Sequence, residues 1–120
     1  MATLISVPAR IPVPGGKIIE EHVGLASTGD GHLSVAKMIA PAGWSEPAQT
    51  PDFDEVTLVL KGELIVETDD GDLRVVAGQS VITRAGERVR YSVGDEGAEY
   101  VAICAPAFDI DLVNREEEEE

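Results

Sequence analysis

Gly43-Trp44-Ser45-Glu46-Pro47-Ala48-Gln49-Thr50-Pro51-Asp52-Phe53-Asp54-Glu55, running on through Val56-Thr57-Leu58-Val59-Leu60-Lys61-Gly62-Glu63-Leu64, is the stretch that decides how this chain reads. A polar, proline-bearing loop leads into a run that alternates as a strand. From Glu55 to Leu60, Thr57 and Val59 share the face of Glu55, and Val56, Leu58 and Leu60 form the opposite face. Both faces are apolar beyond Glu55, so such a strand needs cover on both sides. A second sheet covers one side. A second subunit is the expected cover for the other, and the N-terminal arm is the alternative. The next strand, Glu63 to Glu67, has a wet face: Leu64 and Val66 point one way, while Glu63, Ile65 and Glu67 point the other. Lys61-Gly62 reads as a tight connection between the two.

Outward from this stretch, turn signals recur every eight to twelve residues or so. They are Gly15-Gly16, Gly29-Asp30-Gly31, Pro41-Ala42-Gly43, Asp69-Asp70-Gly71, Ala77-Gly78, Ala85-Gly86 and Gly94 to Gly97. That rhythm predicts an all-β sandwich or barrel. The expected strands are 18–27, 33–39, 55–60, 63–67, 73–76, 80–83, 89–93 and 99–104. Asp70-Gly71 is a hairpin signal, because glycine accepts the positive φ such a turn needs. No segment carries a helical period beyond a short turn near the C-terminus, and there is no internal repeat.

The 120 residues suit one domain, and 43% hydrophobic content supports a core. Only 4% are aromatic, so that core must come from Val, Ile, Leu and Ala. The formal charge is −14, of which Glu116–Glu120 supply five, leaving −9 on the body. Such a body repels phosphate backbones and anionic lipid surfaces, so neither nucleic acid nor membrane is an expected partner. Cys104 is the single cysteine and sits in the apolar run Tyr100 to Ala105, which makes it a structural thiol and rules out an intrachain disulfide. Met1 to Gly16 carries Pro8, Pro12 and Pro14 and no long apolar stretch, so a cytoplasmic address is expected. The expected organisation is an N-terminal arm over 1–16, a barrel over 17–115 and a disordered acidic tail over 116–120.

The opening stretch resembles the first motif of the cupins: a Gly, five residues, His-x-His, three or four residues, Glu, six residues and Gly. Gly43 and Gly62 hold the two glycine positions and Glu55 the glutamate. The phrase Asp52-Phe53-Asp54-Glu55-Val56-Thr57-Leu58-Val59-Leu60-Lys61-Gly62-Glu63-Leu64 is close to that family. The second motif is fainter: Gly78 and Gly86 fit, while Arg84 stands at the proline, Val89 at the histidine and Val93 at the asparagine. The resemblance covers roughly Leu33 to Cys104 and implies a jelly-roll barrel, the double-stranded β-helix. It is similar to the metal-poor branch of small single-domain cupins, such as the ethanolamine-utilisation cupin.

In a typical cupin, three histidines and a glutamate hold a metal. The matching positions here are Gln49, Pro51, Glu55 and Val89, and Pro and Val offer no side-chain donor. A Gln and a Glu make a weak pair for a transition metal, which prefers imidazole. No cofactor is therefore expected; a divalent metal, if one binds, would use Gln49 and Glu55. His22 and His32 are the only histidines, and neither holds a motif position. The resemblance points Glu55 into the barrel mouth, where a carboxylate must be paired, hydrogen-bonded or protonated. Lys37, Arg84, Arg88 and Arg90 are its candidate partners. Alternation sets Val89 and Tyr91 on one face and Arg90 on the other, so Tyr91 is the better lining residue. Lys37 lines the pocket or extends to solvent. Trp44 and Phe53 flank the motif loop and are expected to cap the core, with gating of the mouth as the alternative. The expected function is binding of a small organic ligand, a carboxylate or sugar-like compound, by Gln49, Glu55, Tyr91 and Lys37. The alternatives are a metal-independent isomerase, lyase or cyclase with Glu55 as acid or base, and a degenerate metal-dependent cupin.

Overall fold

A computed structural model describes residues 1–117. Its seven strands are β1 (Ala9–Ile11), β2 (Ile18–Val23), β3 (Ser34–Ala40), β4 (Asp54–Thr68), β5 (Gly71–Val76), β6 (Ser80–Thr83) and β7 (Val89–Ala105), followed by one helical turn, α1 (Ile110–Val113). All strand pairings are antiparallel, in the order β1-β2-β3-β7-β4-β5, with β6 also paired to β4. The predicted all-β, jelly-roll class holds.

Two expected breaks are absent. The segments 55–60 and 63–67 form one strand, and 89–93 and 99–104 form another. Each bends instead of turning, because the two run side by side and bend at the same level. Gly62 lies opposite Ala98, and bulges flank it at Val59/Lys61 and Gly62/Leu64. Gly62 has φ +75, and a Cβ there would run into the Gly97 carbonyl oxygen. Two bulges and a glycine thus let β4 leave one layer and enter the other without losing its partner.

The consequence is a two-layered barrel. The first halves of β4 and the last half of β7 join β2, β3 and β6. The other halves join β5 and the segment around Ser45–Gln49, which pairs with Ser92 and Val89. The main core lies between the layers and includes Val59, Leu64, Val66, Val75, Val89, Val93 and Tyr100, all buried. Alternation was read correctly on β4: Thr57 and Val59 are buried, while Leu58 and Leu60 are 41% and 44% exposed on the outside. Trp44 and Phe53 are both buried, the first in the main core and the second in a smaller cluster with Cys104 and Val113. Among the described residues, no helix is long and apolar enough to cross a membrane.

Both chain ends make contacts with the barrel. The arm supplies β1, which pairs with β2. At the other end, Asp52 N donates to Leu112 O at 2.8 Å and the Asn114 side chain donates to Thr50 O at 2.9 Å, so 112–116 runs against the loop before β4. Glu116, expected in a loose tail, donates its N–H to Ala48 O at 2.8 Å and takes two bonds from Arg88 at 2.6 and 3.0 Å. Like-charge repulsion in the run does not detach Glu116, because a cation meets it. Residues 118–120 of the expected tail lie outside the described residues.

Candidate functional site

One end of the barrel is hollow because its inward positions are small. On β3 these are Ser34 and Ala36, and on β7 Ala102 and Cys104. Facing pairs stack them at Ser34–Cys104 and Ala36–Ala102. Where Leu and Val fill the other end, these side chains leave a cavity of about 720 Å³. Ile11, Val13, Ile19, Met38, Phe108 and Ile110 give it an apolar wall, and Lys17, Glu46, Gln49, Glu55, Tyr91 and Arg115 supply polar groups. Apolar walls with a few converging polar groups are the usual make-up of a small-molecule site.

Glu55 enters from β4. Its carboxylate accepts from the Thr57 hydroxyl at 3.2 Å and from the Cys104 thiol at 3.6 Å. Burial, and then the neighbouring Glu46 carboxylate, push the Glu55 carboxyl above the ordinary glutamate range; Lys17 and the two hydrogen bonds pull the other way. Tyr91 comes from β7, and its hydroxyl shares a buried hydrogen bond of 3.0 Å with Thr83. Burial and Glu55 raise the Tyr91 phenol, so it stays neutral. The same two causes raise the Cys104 thiol, which fits a structural thiol and not a nucleophile. Gln49 is buried and its main chain is paired with Val89 in both directions, at 2.8 and 2.9 Å. Its Oε1 accepts from Arg115 at 3.2 and 2.9 Å.

Three of the four expected ligand residues therefore meet: Gln49, Glu55 and Tyr91. Lys37 does not join them. On β3 the inward residues are Ser34, Ala36 and Met38, so alternation turns Lys37 to the outer face, where it lies opposite Glu20 of β2. The other expected partners of Glu55 are engaged elsewhere: Arg84 with Asp54, Arg88 with Asp69 and Glu116, and Arg90 with Glu67 and the Glu46 carbonyl. His22 and His32 do not line the cavity.

What reasoning from the sequence missed is the set of charges that enters from outside the motif. Lys17 precedes β2 and shares an inward face with Ile19 and Glu21. Its ammonium lies 4.0 Å from the centre of the Trp44 ring and 5.3 Å from that of Tyr100. Burial holds this lysine below its ordinary range, against the Glu46 and Glu55 carboxylates. Arg115 reaches in from the C-terminal segment to Glu46 at 3.4 Å. Glu21 is buried and accepts from the backbone N–H groups of Ala26 and Ser27 at 3.0 and 2.9 Å, which ties down the loop after β2. Period-two alternation from Ile19 back to Lys17 was the available signal for the lysine; nothing local marked Arg115.

The donor set does not fit a first-row transition metal. No imidazole lines the cavity, two of the four motif positions are Pro51 and Val89, and a lysine and an arginine share the site. Among the described residues, no group of three or more His, Cys, Asp or Glu is placed to hold an ion.

Known proteins share this architecture. The chain is 48% identical over 107 residues to a protein of Myxococcus xanthus named endoribonuclease YbeY, but this match spans only 36% of that protein's length. A RmlC-like cupin from Shewanella frigidimarina superposes with a TM-score of 0.73 at 16% identity, covering 88% of this chain and 89% of its own. A protein described as ethanolamine utilization protein Q from Salmonella typhimurium superposes with a TM-score of 0.61 at 17% identity, covering 77% and 71%. At such identities these two likenesses speak for the fold alone. Residues 36–104, more than half of the chain, match the family profile described as Cupin domain, so the chain belongs to the cupin family.

Proposed function

We propose that this protein binds a small organic molecule inside the barrel, without a resident transition metal. The observation that supports it is the cavity of about 720 Å³, with an apolar wall and Lys17, Glu46, Gln49, Glu55, Tyr91 and Arg115 converging on it. A ligand that binds the folded state alone raises the melting temperature by mass action. A thermal-shift screen of a chemically varied set of small acids, amides, amines and sugars is expected to give hits that Ala102→Leu abolishes by filling the cavity. Hits that persist unchanged in that variant would place binding elsewhere. Elemental analysis of protein purified without a tag is expected to find no stoichiometric metal. Near-stoichiometric metal that disappears in Glu55→Ala would overturn the metal-free reading.

A second reading is a metal-independent isomerase, lyase or cyclase. It is favoured by the raised Glu55 carboxyl, which stands inside the cavity as a proton donor or acceptor. Retained ligand binding with lost turnover in Glu55→Gln would separate it from simple binding. RNA chemistry is not carried over from the relative named an endoribonuclease: the charge of −14 repels a phosphate backbone. A second copy of the chain is the proposed cover for the outer face of β4 and β6, where Leu58, Leu60 and Ile82 are 41%, 44% and 52% exposed. Leu58→Lys is expected to turn a dimer into a monomer by light scattering.

A further inference from the structure

Every carboxylate that faces the cavity already has partners. Glu46 is paired with Arg115 at 3.4 Å. Glu21 takes the Ala26 and Ser27 N–H groups. Glu55 takes the Thr57 hydroxyl and the Cys104 thiol. Lys17 stands apart. Among the described residues, no carboxylate lies within ion-pair distance of its ammonium, which rests instead against the Trp44 and Tyr100 rings. Aromatic faces stabilise a cation but do not neutralise it. The Gly15-Gly16 turn that precedes Lys17 packs on the same ring: a Cβ on Gly15 would come within 3.3 Å of Trp44 Cδ1. The turn that carries the lysine is thus packed against the same ring that the ammonium covers. A half-buried cation with no anion in direct contact is costly, and one beside an open volume with an apolar wall can take a contact anion from a ligand.

We propose that the ligand of this cavity is a small organic carboxylate with an apolar body, its anionic group held by the Lys17 ammonium and its body against Ile11, Val13, Ile19, Met38 and Ile110. The assignment rests on the cavity being the binding site. It makes Lys17 the residue that selects ligand charge, while Arg115, occupied by Glu46 and Gln49, is not free to do so.

Trp44 is the only tryptophan and lies under the lysine, so its fluorescence reports the site directly. The test titrates the intact protein with hexanoate, hexanamide and hexylamine, which share one body and differ in charge. Hexanoate is expected to bind at least about ten-fold tighter than the other two, a difference that favours one ion pair made in a partly dry site. Lys17→Met is expected to lose that preference, so that it binds hexanoate no tighter than hexanamide. Equal binding of hexanoate and hexanamide, tighter binding of hexylamine, or an unchanged preference in Lys17→Met would each overturn the assignment and leave the cavity reading standing. Failure of all three compounds to change either Trp44 fluorescence or the melting temperature would overturn both. The comparison among the three compounds needs only the parent protein, so it stands even if the variant folds poorly.

Discussion

Strand β4 runs from a hollow end of the barrel to a packed one. At the hollow end its inward residues are Glu55 and Thr57, side by side with Cys104 and Ala102 of β7 and, one strand further, with Ala36 of β3. At the packed end they are Val59, Leu64 and Val66, none with measurable exposure. The same strand, with the same pairing partner, thus serves two purposes. One end places about as much apolar volume as the space admits and contributes stability. The other gives up that burial and keeps polar atoms facing open volume. Sites of function are often the places where packing is given up, and here the exchange takes place within one strand.

The sharpest way to break this contrast is to empty the packed end. Leu64→Ala should destabilise by about 3 kcal/mol and lower the melting temperature by roughly 10 °C. A loss under about 1 kcal/mol in denaturant titration would mean that the packed end tolerates voids as the hollow one does. Next in size is Glu21→Ala. It removes the acceptor of two backbone N–H groups beside the cavity and should cost about 2 kcal/mol. It should also speed hydrogen exchange at Ala26 and Ser27; unchanged protection there would show that another group holds the loop. Filling the hollow end, by contrast, should cost little. Ala102→Leu is expected to stay within about 1 kcal/mol of the parent in stability. A large loss would mean that the volume is less open than its walls suggest.

The smallest expected effect is a pH dependence that separates the two ends. Glu55 has its carboxyl raised in the folded state by burial and by Glu46. Over the window between the ordinary glutamate range and that raised value, the folded protein holds a proton that the unfolded chain has lost. Stability from this group is therefore complete at low pH and declines as pH rises through the window. Glu55→Gln should remove the decline, so its melting temperature gains on the parent from acid to neutral pH. Parallel melting curves across that range would show that Glu55 ionises as freely folded as unfolded. Leu64→Ala, which carries no proton, should shift the parent's profile without changing its shape.

Much of the fold was legible because it depends on local period and turn chemistry. Alternation placed Glu55, Thr57 and Val59 inward, and set Tyr91 inward with Arg90 outward. Short turns ending in glycine marked most strand ends. The errors share a cause. Lys61-Gly62 and Gly94 to Gly97 read as turns because glycine usually ends a strand, yet here the two long strands bend together and stay paired. Lys37 reads equally as pocket or solvent from sequence, because its neighbours on β3 are apolar on both faces; only the pairing with β2 and β7 shows which face is inside. Arg88 was a candidate partner for a buried carboxylate, but Glu116 lies beside it.

By itself, the sequence determined the all-β class and the inward rows of β4 and β7; its resemblance to the cupins implied the jelly roll, the loss of the usual histidine ligands and the motif positions of Gln49 and Glu55. The first two follow from residue types at short spacing, and the rest from the motif resemblance. Tertiary structure alone decided the charge content of the site. Lys17 arrives from the turn before β2 and Arg115 from beyond α1; alternation can turn Lys17 inward, but nothing along the chain brings either one to Glu55. Their meeting depends on how the two chain ends fold back on the barrel. Electrostatic effects depend on distance through space and on burial, and neither is encoded in separation along the chain.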